Sequence, residues 1–137
     1  MITLTSVYRD ETSARVLYDL LKERTPQQSV SHKAMPTFEE HSQFLRSIPY
    51  FAWYIIRVDG TPIGAIYLTR RREVGIFIFT ENQGKGYAGR ALNELRARHP
   101  GPMLANINPA NARSLAFFSK MGARLIQHTF ELPEEAP

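Results

Sequence analysis

Cysteine is absent from this sequence, and so is any run of about 18 apolar residues. The first absence excludes disulfides, thiolate metal ligands and thiol nucleophiles together. The second argues against a membrane-spanning helix, and the residues Met1-Ile2-Thr3-Leu4 lack the basic start and apolar stretch of a secretion signal, so a cytoplasmic location is expected. Long blocks of one charge are missing too: the densest is Arg70-Arg71-Arg72, and the remaining cations are scattered. That scatter argues against a nucleic-acid surface, whereas the net charge of +4 favours small anionic ligands by long-range attraction. No repeat or low-complexity segment divides the 137 residues, so a single domain over residues 1–137 with one core is expected, without a metal.

What is present reads as alternating strands and helices. Ile2 and Leu4 alternate with Thr3 and Thr5, predicting a strand over residues 2–8. Asp10 is a plausible cap for a helix carrying Ala14, Leu17, Leu20 and Leu21 up to the stop signal Thr25-Pro26, and residues 26–36 form a polar loop. Thr37-Phe38-Glu39-Glu40 matches a capping box for a second helix with Phe44, Leu45 and Ile48 on its apolar side. The aromatic and β-branched run 51–58, the turn Asp59-Gly60 and the run 61–69 predict a hairpin. Residues 73–79 give a further strand, in which Gly75 permits a bulge or a close backbone approach.

A helix is expected over residues 86–98, a short strand over 103–107, and a helix capped by Asn111 and closed by Gly122, with Leu115, Phe117 and Phe118 as buried candidates. A last strand over 124–132 precedes an acidic tail. The order of elements is that of a mixed α/β domain in three layers. Because that last strand is short and lacks an evident partner, a homodimer that covers the exposed edge is expected.

The segment Gln83-Gly84-Lys85-Gly86-Tyr87-Ala88-Gly89 stands between a strand and a helix, where backbone N–H groups have no partner within the helix and attract an anion. Gly84 and Gly86 let a pyrophosphate approach the backbone, and Lys85 adds a cation. An ordinary glycine-rich turn has the same residues, and the segment is neither a Walker loop nor a dinucleotide fingerprint.

Gln83-x-x-Gly86-x-Ala88 resembles the Q/R-x-x-G-x-G/A signature of the GNAT superfamily of N-acetyltransferases. Asn111, Ser114, Phe117, Phe118 and Gly122 resemble that superfamily's second coenzyme-contacting segment, at the expected distance downstream. The resemblance, closest in style to compact bacterial members, implies a mostly antiparallel mixed sheet splayed between its fourth and fifth strands and flanked by about four helices. It implies an acetyltransferase that takes its acyl group from acetyl-CoA. Ile76, Phe77 and Ile78 would then present backbone to the pantetheine arm, an N–H there would donate to the thioester carbonyl, and the turn with Asn111 and Phe118 would complete the coenzyme site.

An alkylammonium with a pKa of about 10.4 must lose a proton before it attacks, so a base is useful. Glu73 resembles in position the carboxylates that serve several family members, although it could equally pair with Arg70–Arg72. His41 follows two carboxylates on the second helix, which borders the acceptor site in the superfamily; a packed or solvated histidine is the plainer reading. His32 is a weaker candidate, and His99 and His128 read as surface or packing residues. Many members carry a tyrosine where this chain has Phe118, which cannot protonate the departing thiolate; Ser119 or water could substitute. A small-molecule amine acceptor such as an amino sugar nucleotide suits the positive charge, with Arg70, Arg71, Arg72 or Lys33 as phosphate contacts. A peptide or protein amine, polyamines, antibiotics and modified nucleobases are alternatives, as is a coenzyme-binding module without turnover.

Overall fold

The computed structural model describes residues 1–24 and 35–134. Nine elements form it: β1 (Ile2–Ser6), α1 (Ser13–Lys22), α2 (Phe38–Arg46), β2 (Ala52–Val58), β3 (Thr61–Leu68), β4 (Glu73–Ile78), α3 (Tyr87–Arg98), β5 (Leu104–Ala105) and α4 (Ala112–Lys120). Short 3₁₀ turns follow β1 at Val7–Arg9 and β4 at Thr80–Asn82. The five strands lie in chain order, with the first three pairings antiparallel and β4–β5 parallel. No helix among the described residues is long and apolar enough to cross a membrane.

Strand periodicity builds the layers. Successive side chains point to opposite faces, so Ile55 and Ala65 join Val7, Leu17, Leu20, Leu45 and Trp53 beneath α1 and α2. Their neighbours Ile56 and Ile66 join Leu68, Val74, Ala91, Leu92 and Leu95 beneath α3. Two apolar faces on one sheet require helices on both, which is the three-layer domain expected from the order of elements.

Local signals hold where their partners are close in sequence. Thr37 accepts from the Glu40 N–H at 3.1 Å and Glu40 accepts from the Thr37 N–H at 2.8 Å, completing the capping box of α2. Asp59 and Gly60 turn the β2–β3 hairpin with φ of 50° and 86°. Asp10 does not directly precede α1: its carboxylate accepts from the N–H and hydroxyl of Thr12 and pairs with Arg57 at 2.6 Å. The bulge falls between Ile56 and Arg57 rather than at Gly75. Gly75 instead lies opposite Tyr67, whose ring occupies the space a Cβ would need, at 2.2 Å. The stop signal Thr25-Pro26, His32 and Lys33 lie outside the described residues.

Two expectations fail at the C-terminal end. Residues 124–132 form no strand; the chain there is irregular and exposed. Strand-forming composition alone does not make a strand, because a strand exists only on a ladder partner, and β5 pairs for two residues with β4 alone among the described residues. Nor are Leu115, Phe117 and Phe118 buried: α4 has no buried residue, Leu115 is exposed, and both phenylalanines are half-buried against the core. Its C-terminus nonetheless closes as the glycine predicts. The Gly122 N–H donates to the Ser119 carbonyl and the Ala123 N–H to that of Phe118, a Schellman motif with φ of 92° at Gly122.

Candidate active site

The sheet opens where β4 outruns β5. Their pairing is limited to Glu73 with Leu104 and Val74 with Ala105, while β4 continues to Ile78. Two cavities fill the opening. One, of about 280 Å³, is lined by Ile76–Ile78, Gln83, Gly84, Gly86–Gly89, Asn111, Arg113, Ser114, Phe117 and Phe118, with Leu20, Glu23 and Arg24 on the far wall. The other, of about 180 Å³, is lined by Tyr67, Thr69, Glu73–Phe77, Asn106–Asn108 and again Arg24, Asn111, Ser114 and Phe118. The shared residues mark where the two meet.

At the mouth of the larger cavity α3 begins on Gly86, whose φ of 80° is left-handed and whose side-chain position makes no cap. The N–H groups of the first turn therefore have no intrahelical partner and carry the positive end of the helix dipole. A Cβ at Gly84 or Gly86 would meet nothing within 4 Å, which leaves a cradle open to a bulky anion. The Gln83 side chain is engaged: its Nε2 donates to the Ile78 carbonyl at 3.0 Å and its Oε1 accepts from Arg113 Nη1, tying the end of β4 to α4. Asn111 caps α4 by accepting from the Ser114 N–H. Lys85 is exposed and lines neither cavity.

Glu73 stands in the smaller cavity with its carboxylate held from both sides. Oε1 accepts from the Thr69 hydroxyl at 3.1 Å and Oε2 from the Asn106 side-chain amide. No arginine pairs with it among the described residues. Arg70 donates to the carbonyls of Ile48 and Pro49, and Arg72 to those of His99, Pro100 and Pro102, so these two are spent on the backbone.

The structure does not bring the other two catalytic candidates to this place. His41 is buried between α1 and α2 against the rings of Tyr18 and Phe44, its Nε2 has no hydrogen-bond partner among the described residues, and it lines neither cavity. Burial holds its pKa below the ordinary value. Ser119 is exposed on α4 and points elsewhere, whereas Ser114, one turn before Phe118, lines both cavities.

Composition and motif left three contributors unmarked. Arg24 follows α1, lines both cavities, lies over the Phe77 ring at 4.6 Å, and has a buried Nε without a hydrogen-bond partner among the described residues. Tyr67 lines the smaller cavity and stacks on Tyr50 at 4.0 Å between ring centroids and 5° between planes. Burial raises the pKa of both hydroxyls, so they keep their protons at neutral pH. Asn106 orients the carboxylate. The one signal for any of these was the register that sets Tyr67 opposite Gly75.

A parallel strand pair that parts beside a helix start, with a held carboxylate in the gap, suits a class of protein that takes an extended anionic ligand next to a second reactant. The sequence comparison gives that class its family: the chain belongs to the acetyltransferase (GNAT) family, whose model matches residues 14–123. It is an acyl-CoA-dependent N-acetyltransferase, and its acyl donor is acetyl-CoA. Solved structures share the fold at low identity. An acetyltransferase from Thermus thermophilus is 17% identical, with 93% of this chain and 89% of that one covered and a TM-score of 0.68. The aminoglycoside N-acetyltransferase AAC(6')-Iy, solved with a bisubstrate analogue of coenzyme A, is 16% identical, with 99% of each chain covered and a TM-score of 0.72. The spermidine/spermine N-acetyltransferase SpeG from Vibrio cholerae is 18% identical, with 88% and 78% covered and a TM-score of 0.66. No curated protein matches the sequence.

Proposed function

We propose that this enzyme acetylates a small-molecule primary amine in the cytoplasm, and that the acceptor carries an anionic group, as an amino sugar on a nucleotide does. The observation that carries the reading is the junction of the two cavities at Ile76, Phe77 and Phe118, with an anion cradle in one and a held carboxylate in the other. Acetyl-CoA, when bound, supplies an activated acyl carbon. The first turn of α3 holds its diphosphate, with Gly84 and Gly86 permitting the approach, and the backbone of Ile76–Ile78 orients its arm.

On the acceptor side Glu73 takes the ammonium proton directly or through a water, and Thr69 and Asn106 fix the direction from which it does so. Arg24 offers the charge that Arg70 and Arg72 have committed elsewhere, and therefore replaces them as the contact for the acceptor's anion. Ser114 brings a hydroxyl to the wall that Phe118 leaves apolar, a better-placed source of a proton for the thiolate than Ser119. A thiol pKa of about 8.5 makes that donor useful rather than indispensable.

Release of coenzyme A thiol, measured against amino sugar nucleotides, aminoglycosides, spermidine and an N-terminal peptide amine, tests the proposal. Glu73→Gln is expected to lower kcat/KM for the best acceptor by about 100-fold while leaving coenzyme affinity unchanged. Arg24→Met is expected to raise KM for anionic acceptors and to spare neutral ones. Full activity in Glu73→Gln would remove the base from the scheme. Tight coenzyme binding with no turnover on any amine would leave a binding module.

A further inference from the structure

Among the described residues other than glycine, Ile48, Asp59 and Arg72 hold a positive φ, and a backbone outlier of this kind persists only where its surroundings over-determine it. Arg72, at φ 68°, is fastened through backbone and side chain together. Its N–H donates to the Thr69 carbonyl at 3.0 Å, and its own carbonyl accepts from the Leu104 N–H at 2.7 Å. Its guanidinium donates to three further carbonyls, from Nε to Pro102 at 3.1 Å and from Nη2 to His99 and Pro100 at 2.9 and 3.0 Å. Gly101 leaves room for it, since a Cβ there would stand 3.0 Å from Nη2.

Four of these five contacts fall on one connection. Residues 99–102 lead from the end of α3 into β5, and Leu104 opens β5. The strand needs such a hold, because its ladder with β4 is only Glu73 with Leu104 and Val74 with Ala105. So short a parallel ladder supplies few hydrogen bonds of its own, and donors that carry a charge are the stronger kind. What the hold secures stands next to the chemistry. Glu73 directly follows Arg72, and Asn106, two residues beyond Leu104, donates to the Glu73 carboxylate. Arg72 itself lines neither cavity, so it reaches the reaction only through these neighbours.

We propose that Arg72 is a positioning residue for acetyl transfer, anchoring β5 so that Asn106 meets the Glu73 carboxylate and fixes its direction. Its effect on rate rests on the role given to Glu73 above, whereas the anchoring of Asn106 does not. Without the guanidinium β5 is free to shift against β4, and a displacement of about 1 Å beside reacting groups is enough to cost rate.

Arg72→Gly removes the guanidinium at a position whose φ suits glycine, and Arg72→Lys keeps a cation without the fork, so the second variant carries the test if the first does not fold. Both are compared with Asn106→Ala and with the double variant Arg72→Gly/Asn106→Ala. Two quantities are read: thiol release from acetyl-CoA, and the side-chain amide resonances of Asn106, which Asn106→Ala identifies by their loss. Arg72→Gly is expected to lose about tenfold in kcat with acceptor KM and coenzyme A affinity unchanged, Arg72→Lys less, and the double variant no more than Asn106→Ala alone. The Asn106 resonances are expected to move in Arg72→Gly. A merely structural role would lower the urea midpoint without this coupling. Full kcat in both Arg72 variants, losses that multiply in the double variant, or Asn106 resonances that stay in place in both Arg72 variants overturn the proposal. Full activity in Glu73→Gln would instead remove the base; moved resonances would then still establish the anchoring, and unmoved ones would overturn it.

Discussion

The body from β1 to α3 and the end from β5 onward are built by different rules. In the body each strand and helix buries apolar side chains on one of two cores, and Leu95 is the last buried residue among those described. Past it come a two-residue strand, a helix with none of its residues buried, and an exposed segment. The body is thus determined by its own packing, whereas the end is amphipathic but only half covered. The two cavities lie on the seam, since β4, α3 and the end of α1 supply one wall and α4 with the residues after β5 the other. On the proposed function the coenzyme would contact both regions there, and its binding would stabilise the end by mass action.

The comparison breaks most readily at its strongest point. Leu95 is wholly buried, so Leu95→Ala should cost about 3 kcal/mol of unfolding free energy, within the range for emptied core sites. Phe117 has the larger side chain but is only half-buried against the same core, so Phe117→Ala should cost about half as much. Urea denaturation of both variants decides it. Equal losses would mean that α4 is as firmly seated as α3, and the division drawn above would fall.

A smaller effect tests the seam. Gly86 holds φ at 80°, a conformation that costs an L-residue about 1–2 kcal/mol, so Gly86→Val should lower stability by that amount. Its side chain would also project over the first-turn amides, and coenzyme A affinity should fall at least tenfold, about 1.4 kcal/mol, in calorimetric titration. A variant with full affinity would show that the diphosphate is held elsewhere.

How much of this was legible depended on the range of the interactions involved. The capping box at Thr37 and Glu40, the Asp59-Gly60 turn and the αL closure at Gly122 each involve partners within about five residues, and sequence carries that information directly. The glycine turn before α3 was legible for the same reason, being one loop and one helix start. Ser119 was misplaced although helix geometry could have corrected it: adjacent residues lie about 100° apart around a helix, whereas Ser114 is one turn from Phe118 and shares its face. His41 and Arg24 were beyond reach, because their surroundings come from elements distant in sequence, and the segment 124–132 was read as a strand because composition does not show whether a ladder partner exists.

The smallest expected effect separates the body from the site by pH. His41 is buried with its Nε2 unpartnered among the described residues, and burial lowers its pKa below 6.5. The unfolded chain, with the ordinary value, therefore binds the proton more readily than the folded one between those two pKa values. Stability is full above pH 6.5 and falls as pH drops toward the folded pKa. His99 acts in the same direction, through burial first and then through Arg72 and Arg98. The carboxylates with lowered pKa, Asp10, Glu40 and Asp59, weaken the fold only at more acidic pH, below their ordinary values of 3.8 to 4.5. His41→Phe keeps a ring between Tyr18 and Phe44 and removes one of the two histidine contributions, so its midpoint of urea unfolding should vary less between pH 7 and pH 5 than that of the native chain. Its pH profile of acetyl transfer should match the native profile, because His41 lines neither cavity. A changed activity profile with an unchanged stability profile would reverse the assignment and return His41 to the chemistry.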